Sequence, residues 1–179
     1  MTTWIRRTAQ AVGLVAHLLL AGSVAASTLV RLADTTGSAA GRRAALLCLD
    51  AVVAPAGDPM ALALLDEALA LAETALASNT HDAKAHFAVF CSLGRRIEIE
   101  GFGVDSLDNV ARLRKSLEAA LASEPEFVDA LVAQGILLTR LPWLLGGDDE
   151  AGEVRLRRAL ELDPASDVAR IALAGLTEE

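Results

Sequence analysis

Three stretches of this chain can be laid over one another: ALASNTHDAKAHFAVF from Ala75, ALASEPEFVDALVAQG from Ala120 and ALELDPASDVARIALA from Ala159. Each reads as the last turns of one helix, a short polar break at Thr80, Pro125 or Pro164, and a new helix with apolar periodicity. Proline suits the break because it ends one helix and can open the next. The copies lie 45 and 39 residues apart, a spacing too uneven for a fixed-period search. A recurring helix–turn–helix unit is a strong constraint on the fold. One such unit cannot bury its apolar face alone, so neighbours must stack.

Composition points the same way. Hydrophobic residues make up 53% of the chain but aromatics only 3%, and tyrosine is absent. Ala and Leu must therefore carry the packing; both favour helix, and strand formers are scarce. The predicted helices run roughly 41–54 and 58–78 around Pro55-Ala56-Gly57, then 82–100 and 106–123 around Gly101-Phe102-Gly103. A third pair, 127–140 and 149–162, flanks the corner that starts RLPWLLGGDD at Arg140, and 166–176 closes the exposed end. Caps are expected from Asp58, Asp105 or Ser106, Glu126, Asp148, and Ser166 or Asp167. The expectation is an all-α solenoid of about three helical hairpins plus a C-terminal capping helix.

The ALELDP of Ala159–Pro164, with Ala85, Ala130 and Gly135 early in the first helices, resembles the tetratricopeptide repeat. That resemblance implies a right-handed superhelical stack in which small residues let paired helices approach closely. It also implies a concave face that binds extended peptides or partner helices. The carboxylate clamp of some members is missing: the aligned positions hold Phe87, Val132 and Ile171, then Cys91, Ile136 and Gly175. The L-P…GGD corner, Leu141-Pro142 through Gly146-Gly147-Asp148, is similar to periplasmic tetratricopeptide components that accompany TRAP transporters (TatT-like). This narrower resemblance covers about 120–165 and implies an oligomeric, transport-associated ligand-binding protein.

The first 26 residues need separate treatment. Arg6-Arg7, the apolar run Ala11–Gly22 and small residues at Val24-Ala25-Ala26 form the pattern of a secretory signal peptide. The alternative is an uncleaved inner-membrane anchor over 9–30. No cysteine follows Leu20-Ala21-Gly22, as a lipoprotein signal would need. Residues 27–40 read as a small-residue lead-in and 41–179 as the repeat domain. Cleavage removes two arginines and no acid, taking the net charge from −8 to −10. So acidic a chain repels nucleic acid and anionic membrane surfaces. The expected location is exported and periplasmic, with a membrane role only if the leader is retained. A protein is the expected partner, with a homo-oligomer as a further option.

Candidate sites follow from chemistry and position. Arg95 and Arg140 each lie fifteen residues after a break, near the end of a first helix. Either they face one groove, where two guanidiniums suit a carboxylate or phosphate, or each complements the negative end of its own helix. Trp143 and Leu144 either fold back as a hydrophobic cover, with Leu141 and Leu145, or stay outside to anchor a partner. Gly146 and Gly147 are expected to supply backbone angles other residues resist. Cys48 and Cys91 either form a disulfide, which an oxidising compartment permits, or are two buried thiols. His81 and His86 are five apart and do not share a helical face as a metal pair would. No triad or paired-carboxylate pattern supports catalysis, so no catalytic residue, metal or cofactor is expected.

Overall fold

The computed structural model describes residues 36–55, 58–101 and 106–176. The leader or anchor expected over 1–26 or 9–30 lies outside the described residues, as does most of the 27–40 lead-in. Helix α1 (Ala39–Val53) is capped by Ser38, whose hydroxyl accepts the Gly41 amide at 2.9 Å. Asp58 caps α2 (Pro59–Ser78), which opens on its proline. Asp82 caps α3 (Ala83–Glu100). Helix α4 spans Ser106–Ser123 and α5 spans Val128–Arg140. A 3-10 turn, Trp143–Leu145, precedes α6 (Asp149–Leu162), capped by Asp148. Helix α7 (Asp167–Leu176) starts beside Ser166, whose Oγ lies 3.4 Å from the Ala169 amide.

The described residues contain no strand, and the protein is all-α there. Helix boundaries fall within two residues of the sequence expectation. After the Thr80 break, Asp82 supplies the cap. One expected cap is not made. Helix α5 starts without any side-chain cap, so Glu126 does not perform that role. The cap expected from Asp105 or Ser106 lies outside the described side chains.

Consecutive helices joined by short connections pack on each other, giving the hairpins α1–α2, α3–α4 and α5–α6. Helix α3 is the hub, in close contact with α1, α2 and α4, whereas the α4–α5 packing is thinner. Alanine makes the close approaches possible: Ala44, Ala68, Ala72, Ala85, Ala88, Ala130 and Ala159 are completely buried. At the α5–α6 crossing a Cβ on Gly135 would come within 2.6 Å of Leu156 Cγ. Between α3 and α5 the link is aromatic, with Phe87 and Phe127 rings 5.1 Å apart. A second apolar cluster surrounds Cys48 and includes Ala51, Val52, Leu65 and Ala68. Ion pairs tie neighbouring elements on the outside, Arg43 to Glu67 at 3.0 Å and Arg158 to Glu126 at 2.8 Å among them. Exposed pairs of this sort contribute about 0–1 kcal/mol each.

Because the hairpins alternate direction, the connections gather at two ends. One end carries the α1–α2, α3–α4 and α5–α6 corners. The other receives the chain at Thr36–Ser38 and carries the remaining connections. At this entry end a set of charged side chains is buried. The Asp82 carboxylate accepts the Ser38 amide at 2.8 Å and the Ala85 amide at 3.1 Å. Lys84, two residues on, is also buried, its Nζ 3.8 Å from the centre of the Phe127 ring and 4.0 Å from Glu124 Oε1. Burial pushes the Asp82 carboxyl up, yet hydrogen bonds from Ser38, Ala85 and Lys84 together outweigh it and hold the pKa below its ordinary value. A desolvated cation over a ring contributes about 2 kcal/mol.

Candidate interaction site

The α5–α6 corner is built by hydrogen bonds at nearly every step. Leu141 N donates to Leu137 O as α5 ends, and Pro142 cannot continue the helix. Leu145 N and Gly147 N then both donate to Pro142 O, at 2.8 and 3.0 Å. Gly146 N closes on Trp143 O at 2.9 Å, and Asp148 N reaches back to Leu138 O at 2.9 Å. The corner also receives a bond from outside, since Arg114 Nη1 on α4 donates to Leu145 O at 2.8 Å. The Asp148 carboxylate accepts the Ala151 amide at 2.9 Å and starts α6.

The two glycines act differently from each other. Gly146 adopts φ 83°, in the left-handed region that favours glycine, as expected. Gly147 needs no unusual angle. It is required for space, because a Cβ there would sit 1.7 Å from the Leu141 carbonyl oxygen. The expectation that both supply special angles is corrected on that point.

This tight path determines where the apolar side chains go. Leu141 is buried and Leu145 packs against the core. Trp143 and Leu144, on the outside of the turn, are 79% and 63% exposed. A full hydrophobic cover from all four residues is therefore not what forms; only Leu141 and Leu145 fold back. Trp143 is the most exposed of the large apolar side chains described, and the turn beneath it is held on both sides. Val53, Met60 and Ile99, also exposed, belong to the other corners at the same end.

Arg95 and Arg140 occupy unlike places. Arg95 is 5% exposed, with Nη1 2.6 Å from Glu98 Oε2 on its own helix, and its Nε has no hydrogen-bond partner. Arg140 is exposed at the last residue of α5, and a Cβ on Gly175 of α7 would lie 4.0 Å from its Nη2. One open guanidinium and one closed ion pair do not make an open pair facing a common ligand. The clamp-equivalent positions Phe87, Val132 and Ile136 are buried in the core.

Cys48 and Cys91 are joined as a disulfide that ties α1 to α3, with Cα atoms 6.2 Å apart. His86 Nε2 lies 3.0 Å from Thr80 O. Among the described residues no group of three metal-ligating side chains converges. Next to the corner, Arg114, Leu117, Gln134 and Leu138 line a hollow of about 20 Å³, room for one water and not for a metabolite. The buried Gln134 Oε1, without a protein partner, is among its lining groups. Among the described residues no helix is long and apolar enough to cross a membrane.

Arg114 and the Asp82–Lys84–Phe127 group were not among the residues singled out from sequence. Both act across more than thirty residues of chain, and no local pattern announces them. No family model, curated protein or solved structure matches this chain.

Proposed function

We propose that the chain is a non-enzymatic helical-repeat scaffold of the tetratricopeptide type, exported from the cytoplasm, which binds a protein partner through its α5–α6 corner. The observation that carries this reading is the exposure of Trp143 and Leu144 on a turn whose backbone is hydrogen-bonded at nearly every step. A rigidly presented aromatic loses little freedom on binding, which is the property of an interface anchor. The tetratricopeptide assignment is supported by three hairpins with Ala85, Ala130 and Gly135 in close helix contacts. Export is supported by the leader pattern and by the Cys48–Cys91 bridge, which belongs to oxidising compartments. The transport-associated alternative calls for an open pair of arginines, and Arg95 is closed by Glu98.

Site-specific photo-crosslinking in the native cell tests the reading. A crosslinker at Leu144 should give a discrete protein adduct that disappears with Trp143→Ala, while one at exposed Thr74 on α2 gives none. The same pattern of adducts from both positions, or none from Leu144, would rule out the corner as the docking site. Mass measurement of the mature N-terminus tests export separately.

A further inference from the structure

Trp143 and Leu144 do not stand in neutral surroundings. Asp148, Asp149 and Glu150 follow at once and all three are exposed. Capping accounts for Asp148 alone, through Ala151. Asp149 and Glu150 suit the start of α6 electrostatically, but among the described residues no ion pair engages either of them. Two arginines lie nearby, and neither is paired with Asp149 or Glu150. Arg114 is bound to Leu145 O and faces Glu118 at 3.8 Å, and Arg140 leans towards Gly175 of α7. The corner therefore offers an apolar tip bordered by three exposed carboxylates, two of them outside any ion pair among the described residues.

That border discriminates among occupants. A second copy docking by two-fold symmetry would bring like carboxylates together around the same tip. An anionic bilayer would be repelled for the same reason. We infer that the occupant is another protein's apolar surface bordered by lysine or arginine, such as a basic amphipathic helix. The inference rests on the corner being a docking site. The Trp143–Leu144 tip supplies affinity, and the carboxylates supply encounter rate, partner choice and salt dependence.

The test uses the full chain with Trp4→Phe, so that emission reports Trp143 alone. Two synthetic labelled helical peptides share one apolar face; one is bordered by lysines and the other by glutamates. Anisotropy should show the lysine peptide binding at least about tenfold more tightly, with affinity falling as salt rises and Trp143 emission moving to the blue. Asp149→Asn/Glu150→Gln should remove most of that preference while helix content by circular dichroism stays unchanged. Trp143→Ala/Leu144→Ala should abolish binding of the lysine peptide. Equal binding of both peptides overturns the basic-partner inference and leaves the docking reading standing. No binding of either peptide, with Trp143 emission unmoved, overturns both. Shielding of Trp143 by phosphatidylglycerol vesicles, or by self-association seen in sedimentation, overturns the choice of occupant.

Discussion

The two ends of the helical stack treat awkward side chains in opposite ways. At the entry end, Asp82 and Lys84 are charged and buried, and each has partners that compensate for the lost water. At the corner end, Trp143 and Leu144 are apolar and exposed, and no described residue buries them. Burying a charge costs several kcal/mol unless it is paired, so the entry end exists only because its network is complete. Exposing one tryptophan on a bonded turn costs the fold little. The contrast separates a part built for stability from a part free to serve another molecule.

Substitutions can sharpen that contrast, and they rank by expected size. Replacing Cys48 and Cys91 together by serine removes a link across 43 residues, worth about 4 kcal/mol in the chain-entropy treatment. Urea unfolding should show the loss, while Trp143 emission in the folded state remains that of a water-exposed indole. Asp82→Ala strands the Ser38 and Ala85 amides and takes the carboxylate from beside the buried Lys84. A loss of about 3 kcal/mol is expected from the urea midpoint.

The same group gives the entry end a pH dependence. Its folded pKa is held below the ordinary aspartate value of 3.8, so its contribution is present above that value. It disappears as pH falls from 3.8 through the folded pKa. Thermal unfolding of wild type and Asp82→Asn should differ near neutrality and converge in this acid window. Persistence of the full difference at the lowest pH would contradict the network's role.

Smaller effects belong to the corner. Gly147→Ala drives a methyl into the Leu141 carbonyl and should cost about 1–3 kcal/mol, and it should also weaken any ligand of the turn. Trp143→Ala/Leu144→Ala should change stability by no more than about 0.5 kcal/mol, although it deletes the most exposed apolar surface described. A large destabilisation there would mean that these side chains belong to the fold after all, and the contrast between the ends would fail.

Much of the scaffold was legible in the sequence because its signals are local. Apolar periodicity, Pro142, the aspartate caps at Asp58 and Asp148, and the recurring Ala75, Ala120 and Ala159 segments each act within a few residues. The site was less legible. Leu141, Trp143, Leu144 and Leu145 look alike as a string, and the turn's hydrogen bonds decide which two go inside. Arg95 and Arg140 share a repeat position but not an environment, because Glu98 one turn on closes the first. The Lys84–Phe127 contact joins residues that no spacing rule connects.

The placing of Ser38 against Asp82 gives the molecule a direction. The chain is fastened where α3 begins, and the acidic tip lies at the end where α3 finishes, about 27 Å away along its eighteen residues. The protein therefore presents its tryptophan at the end opposite Thr36, like a hook at the end of a short arm.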